Sequence, residues 1–397
     1  MINYVYLDNA ATTPLDPQVL KAMEPYYKEK FANPSGIYSF AQEVKKDIEQ
    51  AREQMAKFLN CNYSEIVFTS GGTESDNMAI KGIALANQEK GKHIITSKIE
   101  HHAVLNTCKY LEEIGFSVTY LNVDKYGMVD ISDFKKAIRK DTILASIMYA
   151  NNEIGTIEPI KELSAIAKEH DIYFHTDAVQ AAGKLKLDVK DLGVDLLSIS
   201  AHKFYGPKGT GVLYVKRGTK IHSLLHGGHH EKNRRAGTEN VAGIIGMAKA
   251  AEICMEELND NLKSLKIRNL RDTLQANLLD KIEDVIVNGH PEKRMDNILN
   301  ICIKYIEGES ILIHLDFEGI CASSGSACTS GSLEPSHVLL ALGIPHEIAH
   351  GSIRFSFGRF NTEEDVKKVI DVLPSIVEKL RNMSPFWREK IKGAKNG

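Results

Sequence analysis

Between residues 65 and 215 the chain alternates short apolar runs with longer amphipathic segments. The apolar runs are rich in β-branched and aromatic residues, which is typical of strands. Predicted strands lie at 65–70, 93–97, 117–122, 143–150, 172–176, 196–201 and 211–215, and predicted helices at about 74–90, 103–114 and 159–171. This alternation predicts an α/β architecture of the doubly wound kind, with a largely parallel sheet covered on both faces.

After about residue 250 the pattern changes. A long helical stretch at 247–282 leads into strand-like runs at 297–305 and 352–358, a Ser/Gly loop, a helix near 336–342 and a closing helix at about 362–380. These elements predict a second, smaller α+β domain. We expect a large domain at 16–250 and a small domain formed by 1–15 and 251–397.

Composition and charge narrow the class of protein. The chain is 43% hydrophobic and 25% charged, with a net charge of −3, which argues against a nucleic-acid binder. No apolar run reaches membrane-spanning length, and the N-terminus lacks the pattern of a signal peptide. We therefore expect a cytoplasmic protein with no nucleic-acid and no membrane partner. The six cysteines are too sparse for a disulfide scaffold.

Polar or ionisable residues follow five of the predicted strands, at the point where each strand ends. They occupy positions 71–73, 100–102, 151–153, 177 with 180, and 202–203. Ligands of open parallel sheets bind beyond the carboxyl ends of the strands. We therefore expect these residues to line one crevice.

Three of these positions together indicate a cofactor. The stretch SGGTES predicts a glycine turn that opens a helix at Gly72 and Thr73, where free N–H groups would bind phosphate, although the same pattern also makes an ordinary N-cap. Asp177 would pair with a protonated ring nitrogen, or else cap a helix. Lys203 at the mouth of a crevice is a candidate for a covalent bond to a carbonyl group. A phosphate cradle, an acid and a lysine together describe pyridoxal 5'-phosphate.

The histidine pairs raise the question of a metal. His101 and His102 are adjacent and therefore point apart, and no partner has metal-ligand spacing, so we predict no metal here. A ring at the end of a strand, such as that of His101, is suited to stack on a flat cofactor and to move protons. The stretch HGGHHEKNRRAGTEN, at 226–240, is more typical of a loop that presents Arg and Thr to an anion.

The stretch SSGSACTSG, residues 323–331, places Cys328 among small residues that favour loops. One interpretation is a chance free cysteine, and the other is a nucleophile that must travel on a mobile loop. Cys108, Cys254 and Cys302 fall in helical or strand-like patterns that predict buried thiols, and Cys321 at the edge of the loop is predicted to be structural.

Eight stretches spread over almost the whole chain carry a family resemblance. They are YLDNAATTP, EIVFTSGGTESDN, NNEIGTIEPI, HTDAVQAAGK, SAHKFYGPKGTG, RRAGTEN, SSGSACTSGSLEPSHVL and SIRFSFGRF. With these stretches the chain resembles the cysteine desulfurases of the NifS/IscS type, within the class V aminotransferase-like group of fold-type I enzymes. The resemblance implies a large domain with a mostly parallel seven-stranded sheet and a smaller α+β domain.

The resemblance also implies roles for individual residues. Lys203 would carry the cofactor, Asp177 would meet the pyridine nitrogen, and His101 would stack on the ring. Arg354 would bind the substrate carboxylate, which suits a planar bidentate donor. Contacts to the ring substituents or the substrate are implied for Asn152 and Gln180. The implied phosphate ligands within one subunit are Gly72, Thr73, Ser200 and His202. Thr238 of the partner subunit would complete this set.

The implied activity is that of a homodimeric enzyme that converts L-cysteine to L-alanine. Cys328 would take the sulfur as a persulfide, and a loop would let it carry the sulfur to a U-type iron–sulfur scaffold or another acceptor, whereas a fixed buried thiol would attack but not deliver. The catalytic set is then Lys203, Cys328 and His101. There are three rival interpretations: an aminotransferase, a selenocysteine lyase and a non-catalytic binding protein. An aminotransferase would have no use for Cys328.

The chain departs from the family pattern at three places. Tyr38 stands where a histidine is usual, His229 replaces the third glycine of an HGGG stretch, and Ala201 replaces a common glycine. None of the three departures removes a group with an implied catalytic role.

Overall fold

A computed structural model describes residues 4–324 and 334–395, without the side chains of 261 and 392–395. The helices are α1 Pro17–Met23, α2 Pro25–Lys28, α3 Ser39–Leu59, α4 Gly72–Asn87, α5 His102–Glu113, α6 Ile131–Ala137, α7 Ile160–Glu169, α8 Val189–Leu192, α9 Val241–Leu258, α10 Asn261–Lys281, α11 Gly308–Phe317, α12 His337–Ala341, α13 His346–Ala349, α14 Glu363–Met383 and α15 Pro385–Lys395. The strands are β1 Val5–Tyr6, β2 Ile66–Thr69, β3 His93–Ser97, β4 Ser117–Leu121, β5 Thr142–Ser146, β6 Tyr173–Asp177, β7 Leu196–Ser200, β8 Gly211–Val215, β9 Val285–Asn288, β10 Ile298–Ile303, β11 Ile320–Cys321 and β12 Ser352–Ser356.

The central sheet has seven strands in the order β2-β8-β7-β6-β5-β3-β4. Strand β8 runs antiparallel to both of its neighbours, β2 and β7, whereas the other four ladders are parallel. The predicted mostly parallel seven-stranded sheet is therefore confirmed. Because β2, β3, β5, β6 and β7 share one direction, their carboxyl ends meet at one edge of the sheet, as the crevice argument requires.

Helices cover both faces of this sheet. Helices α4 and α5 bury apolar side chains against one face, and α3, α6, α7 and α9 bury theirs against the other. Strands β2, β3, β5, β7 and β8 are buried along their whole length, which explains why their sequences are continuous apolar runs rather than alternating ones.

The C-terminal part contains a three-stranded antiparallel sheet, β12-β10-β9, and a two-stranded parallel pair, β1-β11. A separate apolar cluster joins these strands to α10, α11 and α14. The N-terminal strand therefore packs with the C-terminal part, as expected from the sequence. The division at residue 250 stays a prediction, and that residue lies inside α9.

Two element predictions from the sequence were wrong. The apolar run at 143–150 is a strand only as far as Ser146, because the chain then bends while the Tyr149 N–H still bonds to the Asp177 carbonyl oxygen at 2.8 Å. The long helix expected at 247–282 is two helices. Asp260 accepts a hydrogen bond from the Leu262 N–H at 3.1 Å, which caps α10 and separates it from α9.

The sequence pattern did not predict helices α1, α2, α3, α6, α8, α11, α13 and α15. Helix α15 is held by its tryptophan, because the Arg381 guanidinium carbon and the Lys390 Nζ each lie 4.4 Å from the ring centroid of Trp387. Among the described residues, no helix is both long and apolar enough to cross a membrane.

Candidate active site

Lys203 lies just beyond the carboxyl end of β7, in a short helical turn at 201–203. Its Nζ donates hydrogen bonds to the carbonyl oxygens of Ala10 at 2.6 Å and Ala11 at 2.7 Å. The Ala10 carbonyl also accepts a hydrogen bond from Gln180 Nε2 at 2.9 Å. The N-terminal segment thus brings Lys203 and Gln180 together, two of the side chains that the sequence assigned to one crevice.

A second lysine supports the backbone at this point. Lys184 Nζ donates to the carbonyl oxygen of Lys203 at 2.9 Å and to that of Gln180 at 3.2 Å. Burial, and then the charge of Lys203, lower the pKa of Lys184 to about 7. Sequence reasoning gave Lys184 no role.

Asp177 is the last residue of β6 and is only 5% exposed. Its Oδ1 accepts a hydrogen bond from the Val179 N–H at 2.9 Å, so the capping contact that the sequence allowed is made. Burial raises the pKa of Asp177 to about 6, and the nearby charge of Lys203 opposes that rise. The carboxylate is therefore ionised at neutral pH, although its burial makes the charge unfavourable.

Further buried polar groups lie around Asp177. His175 shares the face of β6 with Asp177, and its ring nitrogens lie 2.8 Å from Ser146 Oγ and 2.9 Å from Ser198 Oγ. Burial lowers the pKa of His175 to about 3, so the ring is neutral. Asp76 Oδ1 is 3.6 Å from His175 Nε2, and burial followed by the charge of Asp177 raises the pKa of Asp76 well above its ordinary value. This arrangement favours the protonated form of Asp76 beside the charged Asp177.

His101 caps the N-terminus of α5, where its Nδ1 accepts a hydrogen bond from the Ala103 N–H at 3.1 Å. Burial, and then the charge of Lys203, lower the pKa of His101 to about 4. The imidazole is therefore neutral at physiological pH. Since Nδ1 accepts, Nε2 carries the proton.

The expected phosphate cradle lies where β2 and β7 end. Helix α4 begins at Gly72, and a Cβ added there would lie 2.7 Å from Val179 Cγ2 and 3.7 Å from Ser200 Cβ. Thr73 is exposed in the first turn of that helix. His202 Nδ1 lies 3.1 Å from Thr12 Oγ1, and burial lowers the pKa of His202 to about 4. The structure thus places Gly72 beside Ser200, with free helix N–H groups close by.

Thr238 is exposed, in the 226–240 loop. Two ion pairs attach this loop to helices α3 and α4. Glu231 binds Arg52 through two contacts of 2.8 Å, and Arg235 Nε binds Glu74 Oε1 at 2.8 Å. Glu74 belongs to the first turn of α4, so the loop contacts the helix that begins at the expected phosphate cradle.

Arg354 lies on β12 and is 2% exposed. Its Nη2 binds Asp8 Oδ1 at 2.7 Å, and its Nη1 donates to the carbonyl oxygen of Asn152 at 2.8 Å. The half-buried Asn152 therefore meets Arg354 through its backbone. The sequence placed Arg354 and Asn152 in one site, and the structure brings them together.

Cys328 lies outside the described residues, but the chain on both sides of it is described. Ser323 pairs with Arg354 through a hydrogen bond from its N–H to the Arg354 carbonyl oxygen at 3.2 Å. On the far side, the Ser336 hydroxyl bonds to the carboxylate of Glu153. The segment that holds Cys328 therefore leaves and rejoins the described chain beside Asn152 and Arg354.

The four cysteines that the sequence predicted to be buried or structural lie as follows. Cys108, Cys254 and Cys302 are buried and Cys321 is half-buried at the end of β11. Burial raises the pKa of Cys108 to about 12 and that of Cys302 to about 11, so these thiols are poor nucleophiles. Among the described residues no cluster of three His, Cys, Asp or Glu side chains is arranged to hold a metal ion.

The three departures from the family pattern lie in different settings. Tyr38 precedes α3 and is 55% exposed. His229 Nδ1 lies 2.6 Å from Asn233 Oδ1 on an exposed part of the 226–240 loop. Ala201 is fully buried, and its Cβ would lie only 2.8 Å from a Cβ added at Gly206, so the bend after Lys203 requires glycine at 206.

Several residues of this site were not predicted from the sequence. Ala10 and Ala11 contribute only carbonyl oxygens, and Asp8 and Thr12 lie far along the chain from their partners. The one sequence signal for these residues is the stretch YLDNAATTP, which is part of the family resemblance but has no chemical role assigned to it.

Comparisons with known proteins agree with this geometry. The model of the aminotransferase class-V family matches residues 5–369, and the chain belongs to that family. It is 60% identical to the cysteine desulfurase IscS of Dictyoglomus turgidum over 385 residues, 97% of each chain. It is also 60% identical to the IscS of Methanosarcina thermophila over 382 residues, 96% of this chain and 94% of the relative. A solved NifS-like protein superposes with a TM-score of 0.90 at 39% identity, covering 95% of this chain and 100% of that one.

These findings confirm the predicted resemblance to the cysteine desulfurases of the NifS/IscS type. They also confirm pyridoxal 5'-phosphate as the cofactor, because enzymes of this kind depend on it. A solved protein described as SspA in complex with cysteine is 38% identical, with a TM-score of 0.79 over 90% of this chain and 99% of that one.

The described residues fit that cofactor. Gln180 Oε1 and Arg354 Nε are buried polar atoms without a hydrogen-bond partner among the described residues. A buried polar atom left without a partner is costly, so each favours a ligand that completes it. A ring hydroxyl group would satisfy the Gln180 oxygen, and a substrate carboxylate would satisfy the Arg354 nitrogen.

Proposed function

We propose that the protein is a homodimeric cysteine desulfurase that converts L-cysteine to L-alanine and passes the sulfur through Cys328 to an acceptor protein. One observation carries the assignment of the site. The short segment at 8–11 binds Arg354 through Asp8 and Lys203 through the carbonyl oxygens of Ala10 and Ala11. A cofactor lysine and a substrate-binding arginine are thereby held beside one another, as a reaction on an amino acid requires.

Each part of the cofactor has a protein group that suits it. Lys203 would hold the cofactor covalently, Asp177 would pair with its ring nitrogen, and His101 would lie against the ring. The phosphate would be held by Gly72, Thr73, Ser200, His202 and, across the dimer, Thr238 of the partner subunit. When bound, the cofactor supplies an electron sink for bonds broken at the substrate α-carbon.

Proton positions follow from the electrostatics of the site. Asp177, with a pKa raised to about 6 by burial, is negative at neutral pH and would hold a proton on the ring nitrogen opposite it. Lys203, once its amine is released, would remove the α-proton of the substrate and return it. His101 carries its proton on Nε2 and would donate it toward a leaving or attacking group.

Cys328 completes the reaction. Its thiolate would bond to the sulfur of the substrate while the substrate C–S bond breaks, with the bonding electrons staying on carbon. That carbon takes a proton and leaves as alanine, and Cys328 keeps the sulfur as a persulfide. Cys328 lies five positions after Ser323, which is beside Arg354. An extended chain spans roughly 17 Å over five positions, which is enough to reach a substrate bound at Arg354.

The exposure of particular residues supports a dimer and an acceptor protein. Thr238 is exposed in the single chain, as a residue that serves the partner's site would be. Phe31 is 71% exposed and Ile37 is 95% exposed near the start of α3, where a second copy of the chain would cover them. We propose a U-type iron–sulfur scaffold or another sulfur acceptor as the partner. A cytoplasmic location and the division into domains at 16–250 and at 1–15 with 251–397 are proposed on the same reading of the sequence.

The test uses two single cysteine variants. After incubation with L-cysteine, mass spectrometry of the wild-type protein should find one added sulfur on the peptide that contains Cys328. Cys328→Ala should retain the cofactor but release little alanine, whereas the matched control Cys321→Ala should stay active. An added sulfur on the Cys321 peptide, or full alanine release by Cys328→Ala, would overturn the proposal.

A further inference from the structure

Tyr205, two residues after Lys203, has an unusual backbone conformation. Its φ is +67°, in the left-handed region that bulky residues rarely adopt. Such a conformation persists only where the surroundings enforce it. Here the Tyr205 N–H donates to Thr13 Oγ1 at 2.8 Å, and the Tyr205 carbonyl accepts from the Asp16 N–H at 3.1 Å.

Arg359 holds the side chain of the same tyrosine. Its guanidinium carbon lies 3.8 Å from the centroid of the Tyr205 ring, and its backbone N–H donates to the Tyr205 hydroxyl at 2.6 Å. The ring of Phe360 packs edge-on against Tyr205, with centroids 5.7 Å apart. Two consecutive residues after β12 therefore fix the ring and the hydroxyl of Tyr205.

The guanidinium of Arg359 is itself fixed by two carboxylates. Its Nη1 binds Asp16 Oδ2 at 2.9 Å, and its Nη2 binds Glu257 Oε2 at 2.9 Å. A planar guanidinium can stack on a ring and bind two carboxylates at once, which the flexible ammonium group of lysine does not reproduce. Gly358 leaves room for this contact, since a Cβ there would lie 2.6 Å from the Tyr205 hydroxyl oxygen.

We propose that Arg359 is a positioning residue that acts on Lys203 through Tyr205. Arg359 follows β12, the strand that carries Arg354, and Tyr205 belongs to the bend that carries Lys203. The contact between them therefore sets the position of the lysine relative to the substrate-binding strand. This inference rests on the proposed role of Lys203 as the cofactor lysine.

The test measures how fast the holoenzyme loses its cofactor. Arg359→Ala should release pyridoxal 5'-phosphate at least tenfold faster than wild type on dilution, followed by the decay of the visible absorbance band. The matched control is Arg381→Ala. Arg381 is buried, lies 4.4 Å from the centroid of the Trp387 ring and binds a backbone carbonyl oxygen. It lies in α14, next to α15, rather than beside Tyr205. Arg381→Ala should release the cofactor at the wild-type rate even if it lowers the melting temperature as much.

Two further variants keep the proposal falsifiable if Arg359→Ala does not fold. Tyr205→Phe removes only the hydroxyl that accepts the Arg359 N–H, and it should speed cofactor release about threefold. Arg359→Lys should release the cofactor faster than wild type, because the stacking and the second ion pair are lost. Wild-type release rates in both variants, or equal rates in Arg359→Ala and Arg381→Ala, would refute the proposal.

Failure of the underlying assignment would look different. Borohydride reduction of the holoenzyme should attach the cofactor to the Lys203 peptide. Attachment to another lysine would refute the role of Lys203, whereas attachment to Lys203 with unchanged release from the Arg359 variants would refute only the positioning role.

Discussion

Replacing Asp177 with asparagine should stabilise the cofactor-free protein while impairing its function. Burial raises the pKa of Asp177 from 3.8 to about 6, so the folded protein binds its proton more tightly than the unfolded chain does. The Asp177 carboxyl group therefore does not lower the free energy of unfolding below pH 3.8. It lowers that free energy increasingly as the pH rises toward 6, and the full decrease persists at higher pH. The asparagine side chain would keep the hydrogen bond from the Val179 N–H, since its amide oxygen accepts as the carboxylate does.

The expected stabilisation by Asp177→Asn follows from the size of the rise in the pKa of Asp177. At about 1.36 kcal/mol for each pH unit, a pKa raised from 3.8 to about 6 corresponds to roughly 3 kcal/mol at neutral pH. This is an upper value, because Asp177 and the neighbouring Asp76 titrate as an interacting pair. The loss of function has the same origin, since the unfavourable charge is the one that would pair with the cofactor ring nitrogen.

The assay compares melting temperatures of the cofactor-free wild type and Asp177→Asn between pH 4 and pH 8. The variant should melt higher at pH 8, and the difference should shrink toward zero at pH 4. Asp130→Asn is the control, because hydrogen bonds from Ser132 lower the pKa of Asp130, so its replacement should give no gain in melting temperature at pH 8. A difference for Asp177→Asn that is independent of pH, or a variant that melts lower at pH 8, would refute the reasoning. With cofactor and L-cysteine, Asp177→Asn should lose most of its turnover.

Three other replacements have defined outcomes. Lys203→Ala should abolish turnover, and borohydride should then leave no cofactor on the corresponding peptide by mass spectrometry. Gly72→Ala should weaken cofactor binding at least tenfold by absorbance titration, because its methyl group would lie 2.7 Å from Val179 Cγ2, and adding Val179→Ala should restore part of that affinity. Arg354→Lys should raise the KM for L-cysteine about tenfold or more with a smaller change in kcat, and its melting temperature should fall slightly through the weaker pair with Asp8. An unchanged KM would show that the substrate carboxylate binds elsewhere.

Hydrophobic patterning predicted the central sheet well, for a physical reason. Strands buried on both faces are continuous apolar runs, so their ends are visible in the sequence, and the polar residues that follow them meet at one edge. Asp177, His202 and Lys203 are candidate site residues on this argument. The break before α10 was missed although Asp260 is a typical N-cap residue, because the apolar periodicity continues across it.

The rest of the site could not be predicted from single positions. Ala10 and Ala11 act through backbone carbonyl oxygens, which every residue type possesses. The contact of Arg359 with Tyr205 depends on a left-handed backbone at a tyrosine, where sequence rules expect a glycine. Such features become visible only when the chain is folded.

The pairing of Asp8 with Arg354 also bears on how the protein is made. These residues are 346 positions apart, and the same short segment that holds Arg354 also holds Lys203. A chain that emerges from the ribosome N-terminus first can assemble its central sheet early, since domains fold as units during synthesis. Its first residues nevertheless have no arginine to bind until β12 has been translated. A nascent chain therefore cannot hold a complete site, and amino-acid chemistry begins only when synthesis is almost finished.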